Sequence, residues 1–230
     1  DAEGTWVSEP DANNRGVLLA HRRLAILDLS PAGIQPMTDP VTGHVVVFNG
    51  EIYNFRDLRQ RLEAEGQTVH STGDTAVMLR ALGLHGADAV SWLRGMFAFA
   101  CWDPQRRRLL LARDPLGIKP LYIARPAHSN AGWSLAFASE LRALLASGLL
   151  ENHELDPCGV ASCVSNGFVT GPTTIVRGVE LAWPGEFLEF DTAGEDVRRE
   201  RFWTIPDSAP EPTMTEPELA GILEEGLKLH

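Results

Sequence analysis

Side chains that could bind a free amino acid recur in four short segments of this chain. The segments supply a cation, a side-chain amide, a backbone N–H beside a glycine and several carboxylates, at residues 21–26, 48–54, 71–74 and 113–122. An arginine can hold a carboxylate through two parallel hydrogen bonds, and carboxylates can in turn hold an ammonium group. Because an α-amino acid carries both charges, the four segments predict a pocket for such a ligand.

The dipeptide Asn49-Gly50 follows directly on an apolar run at residues 45–48. The side-chain amide of Asn49 and the backbone N–H of Gly50 could donate to one oxyanion that develops during a reaction. Glycine also allows the close backbone approach that such a site needs. Asn-Gly is equally typical of a type I′ hairpin turn. Residues 51–54 favour the first interpretation, because they predict that a helix rather than a paired strand follows.

Three charged residues are candidates for ligand binding, and each also has an ordinary structural interpretation. Arg23 lies at the end of a predicted strand, where it is either a surface arginine or a bidentate partner for a carboxylate. Asp74 can cap a helix and could still offer its second oxygen to a ligand ammonium group. Glu51 is either an exposed carboxylate near a turn or a further partner for that ammonium. His21 is expected to be a hydrogen-bonded structural residue rather than a catalytic base.

Composition and charge argue against several functional classes. The 230 residues carry a formal net charge of -11, which disfavours a nucleic-acid partner, because phosphate binding needs an excess of Lys and Arg. The basic cluster at residues 106–108 predicts a solvated hairpin turn. Three cysteines are too few for a secreted disulfide scaffold and lack the spacing of a metal site. No apolar run reaches the roughly 18–20 residues of a membrane span, so we expect a cytoplasmic protein with no membrane partner.

The elements that must position these residues are mostly short strands. Apolar runs bounded by turn signals predict strands at residues 17–20, 45–48, 96–102, 109–112, 122–124, 135–138 and 186–190. Helices are predicted to begin near Asn54, Asp74, Ser139 and Asp156, each of which can act as or beside an N-cap. Many short strands with a few interspersed helices predict a layered α+β domain rather than a parallel βαβ fold.

The last part of the chain has the composition of a linker and a new helix. Residues 204–214 contain three prolines, which indicate a linker. Residues 215–218 then match a capping box, followed by leucine and isoleucine at helical spacing. We therefore predict one domain at residues 1–203, a linker at 204–214, and at 215–230 the first helix of a second domain.

Taken in order, the four segments resemble the glutaminase domain of class II glutamine amidotransferases. The forms at residues 21–26 and 49–54 are most similar to the branch of glutamine-hydrolysing asparagine synthetase, and the resemblance runs from Asp1 to about Phe202. It implies an N-terminal-nucleophile αββα sandwich, in which two antiparallel sheets are flanked by helices. The activity it implies is release of ammonia from L-glutamine for the ATP-dependent amidation of aspartate.

The resemblance also assigns roles to individual residues. Arg23 would hold the α-carboxylate of glutamine, while Glu51 and Asp74 would hold its α-ammonium group. Asn49 and Gly50 would form the oxyanion hole. Leu27 would line the pocket, and residues 113–122 would be structural. The resemblance implies no cofactor in this domain, and it places ATP and Mg²⁺ in the synthetase domain of the same polypeptide.

The chain departs from the family pattern at its beginning. The family starts Cys-Gly-Ile, and that cysteine is the nucleophile, with its own α-amine as the base. Residues 1–4 resemble a later family motif, so we expect the nucleophile and the first strand to be missing and the domain to be truncated at both ends. Cys101 lies in a predicted strand, and Cys158 and Cys163 lie on a predicted helix, so none of them is expected to substitute. The chain alone is therefore expected to be inactive.

Two other functions stay open at this stage. The first is a non-catalytic relative that binds an amino acid or mediates dimer contacts, and a homodimer is compatible with either function. The second is an amidotransferase that acts on a carboxylate other than aspartate, because a glutaminase domain does not reveal the acceptor. The five polar positions Arg23, Asn49, Gly50, Glu51 and Asp74 favour the glutaminase over the non-catalytic relative.

Overall fold

In the computed structural model, the apolar runs pair into antiparallel sheets, and helices cover the outer faces of these sheets. The structure describes residues 2–23, 33–69, 71, 73–128, 131–150, 153–205 and 215–228. The strands are β1 (Ala2–Val7), β2 (Leu18–Arg23), β3 (Met37–Thr38), β4 (Val45–Ile52), β5 (Gly95–Asp103), β6 (Arg108–Arg113), β7 (Tyr122–Ala124), β8 (Ala136–Ala138), β9 (Val179–Leu181), β10 (Glu186–Phe190) and β11 (Asp196–Arg201). The helices are α1 (Phe55–Ala64), α2 (Asp74–His85), a 3₁₀ helix (Gly86–Trp92), α3 (Leu141–Ala146), α4 (Pro157–Asn166) and α5 (Glu216–Lys228).

The strands form a six-stranded sheet in the order β11-β10-β6-β5-β4-β3, together with a pair β1-β2 and a three-stranded sheet β8-β7-β9. All the pairings are antiparallel. The predicted strands at residues 122–124 and 186–190 coincide with β7 and β10. The sequence analysis did not predict β1, β3, β9 or β11.

Both faces of the central strands of the six-stranded sheet are buried, which explains why these strands are continuous apolar runs. Successive side chains of a strand point to opposite faces. Val46 and Phe48 accordingly join the core beneath α1 and α2, whereas Val45 and Val47 join a second core with residues of β2 and β7. A third core lies between the three-stranded sheet and α3. The result is a helix, sheet, sheet, helix order of layers, as expected.

The hairpin predicted between β5 and β6 is present. The carboxylate of Asp103 accepts the backbone N–H groups of Gln105 at 2.8 Å and Arg106 at 2.9 Å, which closes the turn. Arg107 is half-buried, and its guanidinium donates to the carbonyls of Glu9 at 3.0 Å and Arg15 at 3.2 Å. Arg107 thus ties this turn to the β1–β2 hairpin, so the prediction of a wholly solvated cluster is wrong at this residue.

Two of the predicted helix starts differ in their caps. Asp156 caps α4 by accepting the N–H groups of Cys158 and Gly159, as predicted. Asn54 precedes α1 but makes no capping bond. Its amide instead donates to the carbonyl of Trp92 and accepts the N–H of Arg94, both at 2.9 Å. A contact 38–40 residues away therefore displaces the local cap, and the predicted role of Asn54 is wrong.

The predicted boundaries at the end of the chain stay predictions, because residues 206–214 lie outside the described part. Glu218 accepts the backbone N–H of Thr215 at 2.8 Å, which is one half of the predicted capping box. The described side chains of α5 are exposed, including Leu219, Ile222 and Leu223. Among the described helices, none combines the length and the apolar character needed to cross a membrane.

A buried ion pair joins α2 to the turn between β3 and β4. Arg80 donates to both carboxylate oxygens of Asp39, at 2.7 and 3.0 Å, and Thr42 donates to the same carboxylate. Both charged residues are at most 5% exposed. Burial by itself raises the pKa of Asp39, but hydrogen bonds from Arg80 and Thr42 outweigh burial and hold that pKa below its ordinary value.

We predict that Arg80→Ala lowers the free energy of unfolding by about 3–5 kcal/mol, because it leaves the Asp39 carboxylate buried and unpaired. Urea denaturation at neutral pH measures this change. The matched control is Arg22→Ala, which removes an exposed arginine 3.8 Å from Glu3 and should cost about 0–1 kcal/mol. Equal losses in the two variants would contradict the prediction.

The Asp39–Arg80 ion pair also predicts how the free energy of unfolding depends on pH. Because folding lowers the pKa of Asp39, its contribution to stability is complete above the unfolded value of about 3.9 and is lost as the pH falls below it. Asp39→Asn should therefore be less stable than the parent at neutral pH and should lose less of its remaining stability on acidification.

Candidate functional site

An open cleft lies on the side of the six-stranded sheet that faces the smaller sheets. Its volume is about 2610 Å³, and its walls come from β2, β4, β5 and the segment around β8. Small-molecule pockets usually enclose roughly 300–1,000 Å³, so a single amino acid would occupy only one part of it. Four of the predicted site residues line the cleft, namely Asn49, Gly50, Glu51 and Asp74.

The outer edge of β4 is the most informative part of the cleft. The N–H of Phe48 donates to the Gln35 side chain at 2.6 Å, and the N–H of Ile52 donates to Asp74 at 2.9 Å. Both N–H groups point away from β5. Because backbone direction alternates with a period of two, the N–H of Gly50 between them points the same way. Phe97, opposite Gly50, is consistent with this, since its N–H and carbonyl both bond to Asp114 on the far side.

Gly50 is required by the close approach of β4 to β5. It has φ +153°, and a Cβ atom there would lie 2.0 Å from the carbonyl oxygen of Met96. Gly95 on β5 is the counterpart, with φ +154° and a Cβ position 2.1 Å from the carbonyl oxygen of Glu51. Because β4 continues through Asn49 and Gly50 to Ile52, this dipeptide is not a hairpin turn.

Asn49 lies on the cleft face of β4. It follows Val45 and Val47 at intervals of two residues and pairs with Ala98, and these neighbours belong to the core on the cleft side. The Asn49 amide and the Gly50 N–H therefore both reach the cleft from one short stretch of strand. This is the arrangement that two donors to one oxyanion require, and the role itself stays a prediction.

Glu51 and Asp74 form a negatively charged corner of the cleft. Asp74 begins α2, where the helix dipole favours a negative charge, and its second oxygen accepts from the N–H and the hydroxyl of Thr75. Glu51 is exposed on β4. Among the described cations, none forms an ion pair with either carboxylate. The corner can therefore accept an ammonium group, in addition to the structural bond from Asp74 to Ile52.

Two predicted site residues cannot be placed in the same way. Leu27 lies outside the described residues, and so does the side chain of Arg23, whose backbone ends β2 opposite Ala2. His21 is hydrogen-bonded, as predicted, because its Nε2–H donates to the carbonyl of Phe48 at 3.2 Å. Sequence reasoning missed Gln35, whose side-chain oxygen accepts the backbone N–H of Phe48. Gln35 belongs to no recognised motif.

The segment at residues 113–122 is structural, as the resemblance implied. Asp114 is fully buried, and its carboxylate accepts four backbone N–H groups at 2.9–3.2 Å, from Phe97, Leu116, Ile118 and Lys119. Arg113 donates to three carbonyls, at Gly117, Lys119 and Ala182. Burial lowers the pKa of Arg113, but an arginine stays protonated in proteins. Asp114 and Arg113 thus hold the loop at residues 114–119 in place, next to the strand that pairs with Gly50.

All three cysteines are among the described residues, and none of them lines the cleft. Cys101 is buried in the core beneath the helices, on the face of the sheet opposite Asn49. Burial raises the pKa of its thiol far above the ordinary value, so the reactive thiolate is not formed at neutral pH. Cys158 and Cys163 lie on α4, exposed and half-buried respectively. Among the described residues, the cleft is therefore lined by donors and carboxylates but by no thiol.

We predict that Gly50→Ala destabilises the domain by about 1–3 kcal/mol or more, because the new methyl group would overlap the backbone of Met96 and force β4 away from β5. Urea denaturation monitored by tryptophan fluorescence measures the loss. Gly66→Ala is the matched control: its φ is +79°, with no atom within 4 Å of the added methyl. If both variants lost the same stability, the steric argument would be wrong.

Comparison with known proteins identifies the family. The glutamine amidotransferase domain model matches residues 1–203. Asparagine synthetase [glutamine-hydrolyzing] 3 of Bacillus subtilis is 35% identical over 203 residues, which are 85% of this chain and 32% of that protein. Amidase chry2 of Gibberella zeae is 34% identical over 229 residues, covering 99% of this chain and 32% of that protein. The chain thus spans about a third of the length of these relatives.

A solved structure supports the same fold. Glutamine phosphoribosylpyrophosphate amidotransferase from B. subtilis aligns with a TM-score of 0.57 and 21% identity, over 83% of this chain and 35% of that chain. The expected N-terminal-nucleophile αββα sandwich is confirmed by this likeness and by the observed layers. The chain therefore belongs to the glutamine amidotransferase domain family, as a class II domain related to asparagine synthetase.

Proposed function

We propose that the natural protein hydrolyses L-glutamine in this cleft and passes the ammonia to a synthetase domain of the same polypeptide, which amidates aspartate with ATP and Mg²⁺. The observation that carries the proposal is the outer edge of β4, where Asn49 and Gly50 direct two donors into the cleft. The similarity to a glutamine-hydrolysing asparagine synthetase at 35% identity supports the same reaction.

The chemistry follows from the donors. In the family mechanism a cysteine thiolate attacks the side-chain amide carbon of glutamine, and the carbonyl oxygen becomes an oxyanion. The Gly50 N–H and the Asn49 amide would stabilise that oxyanion, each by roughly 3–4 kcal/mol. When the intermediate collapses, the amide nitrogen takes up the proton released from the thiol and leaves as ammonia, and a thioester remains. Water then cleaves the thioester, which gives glutamate and restores the thiol.

Binding of the substrate is assigned to the charged residues. Glu51 and Asp74 would hold the α-ammonium group at the negatively charged corner, and Arg23 would hold the α-carboxylate through two hydrogen bonds. Leu27 would line the pocket beside them.

The three cysteines are free thiols. Reducing compartments keep cysteines in this form, and we accordingly place the protein in the cytoplasm.

The 230-residue chain by itself is proposed to be inactive. None of its cysteines lines the cleft, and the thiol of Cys101 is held in its neutral form by burial. Intact mass and N-terminal sequencing of the natural protein test whether a leading Cys-Gly precedes these residues. A natural protein without that cysteine would favour the non-catalytic, amino-acid-binding relative instead.

We predict no ammonia release from glutamine by the 230-residue chain, and turnover by the natural protein that begins with cysteine. In that protein, Asn49→Ala should lower kcat by about 10²–10³-fold with little change in KM, because it removes a donor used in the transition state. Gln105→Ala removes an exposed amide in the β5–β6 turn and is the control, with unchanged kinetics expected. Turnover by the 230-residue chain would refute its proposed inactivity.

A second candidate function concerns the acceptor. The Gibberella zeae relative is called an amidase, and it is about as similar to this chain as the asparagine synthetase is. A carboxylate other than aspartate is therefore a second candidate for the acceptor. The cleft serves either function, since both begin with release of ammonia from glutamine.

We predict that the natural protein, given glutamine and Mg-ATP, converts aspartate to asparagine, which mass spectrometry of the products detects. The control is Asn49→Ala supplied with ammonium salt instead of glutamine. Because only the glutaminase is impaired in this variant, amidation should be restored. If glutamine is hydrolysed but aspartate is not amidated, the acceptor is a different carboxylate.

A further inference from the structure

Arg59 is a half-buried arginine of α1 whose guanidinium binds backbone carbonyls. Its two terminal nitrogens donate to the carbonyl of Val69 at 2.6 Å and to that of Ser71 at 2.5 Å. Among the residues that the structure describes, no carboxylate forms an ion pair with Arg59. The planar fork of an arginine suits two acceptors in fixed positions. Arg59 therefore ties α1 to the chain that follows this helix.

The segment that Arg59 holds leads directly into the negatively charged corner of the cleft. Ser71 and Gly73 line the cleft together with Asp74, which begins α2. The hydroxyl of Ser71 also accepts the N–H of Gly73 at 3.3 Å. The wall of the cleft just before Asp74 is therefore fixed, through the carbonyl of Ser71, to the neighbouring helix.

Asp74 has little acceptor capacity to spare. Its Oδ2 accepts the N–H of Ile52 at 2.9 Å, and its Oδ1 accepts the N–H and the hydroxyl of Thr75 at 2.7 and 3.2 Å. A carboxylate offers about four acceptor positions, so these bonds leave roughly one for a ligand. A shift of the segment before α2 would move that position and would also weaken the bond to Ile52.

We propose that Arg59 is a positioning residue for the negatively charged corner. By holding the segment before α2, it fixes the acceptor position of Asp74 that a ligand ammonium group uses. The inference rests on the proposed function only for the identity of that ligand, an α-amino acid with a side-chain amide. The placement of Asp74 is a property of the 230-residue chain itself.

Amide hydrogen exchange in the 230-residue chain, followed by NMR, tests the placement of Asp74. The N–H of Ile52 reports on its bond to Asp74. The N–H of Phe48, which Gln35 accepts at 2.6 Å on the same strand edge, is the internal reference. Arg59→Ala should speed exchange at Ile52 about tenfold relative to Phe48, because the segment before α2 gains freedom. A general loss of stability would speed both amides by the same factor.

Two further variants complete this measurement. Arg61→Ala removes another arginine of α1, whose guanidinium lies 3.4 Å from the ring centroid of Trp92, and should leave the ratio of the two exchange rates unchanged. Arg59→Lys keeps the charge but has no planar fork, so its ratio should lie between those of the parent and Arg59→Ala. An unchanged ratio in Arg59→Ala, or an equal change in Arg59→Ala and Arg61→Ala, would overturn the proposal.

Kinetics of the natural protein test the link to the ammonium group. Glutaramate is glutamine without its α-ammonium, and it keeps both the carboxylate and the reacting amide. Arg59→Ala should raise KM for glutamine about tenfold with kcat nearly unchanged, because the ammonium is bound but does not react. For glutaramate, kcat/KM should change by less than about twofold, since this substrate never uses the corner. A disturbance of the Gly50 donor would act on both substrates alike, so the comparison isolates the ammonium.

The outcomes separate this inference from the proposed function. Equal losses with glutamine and glutaramate would overturn the assignment of Arg59 to the ammonium group. If the natural protein does not hydrolyse glutamine, the proposed function fails, and the exchange ratio in the 230-residue chain still decides whether Arg59 positions Asp74. Urea denaturation shows which variants are folded, and Arg59→Lys replaces Arg59→Ala in both measurements if the alanine variant is not.

Discussion

The close approach of β4 and β5 at Gly50 and Gly95 is the constraint on which the site depends. Because neither residue has a Cβ atom, each backbone lies where a side chain would otherwise stand. Because of this close approach, β4 stays paired with β5 beyond Asn49 and Gly50 within the six-stranded sheet. The two donors are therefore fixed by backbone pairing rather than by a loop. Donors that are already in place need no reorganisation when charge develops next to them.

The outer edge of β4 is also a place where an unprotected sheet would invite pairing with another chain. Here side chains take the place of a neighbouring strand. Gln35 and His21 bond to the two backbone groups of Phe48, and Asp74 bonds to the N–H of Ile52. Because Gln35 and Asp74 accept the N–H groups of Phe48 and Ile52, the N–H of Gly50 between them is left to point into the cleft. Protection of the edge and presentation of a donor are thus achieved by the same strand.

The sequence predicted the parts of the fold whose side chains are buried on both faces. The runs in β4, β5 and β6 are apolar because helices cover one face and strands cover the other. In contrast, β11 is exposed along its whole length and charged at every position except Val197, so no periodicity marks it. Asn54 was assigned to a helix cap, but distant backbone groups at Trp92 and Arg94 bind its amide. Gln35 was missed for the same reason, since its partner lies 13 residues away in sequence.

One buried carboxylate connects the donor strand to the loop that follows β6. Asp114 accepts the N–H of Phe97, directly behind Gly50, and also those of Leu116 and Ile118 in that loop. A carboxylate with four backbone donors has little freedom to move without leaving buried N–H groups unpaired, which costs about 1–3 kcal/mol for each group. The loop after β6 and the Gly50 edge are therefore held in a fixed relation by a single side chain, so the donor strand keeps its place in the sheet without help from a ligand.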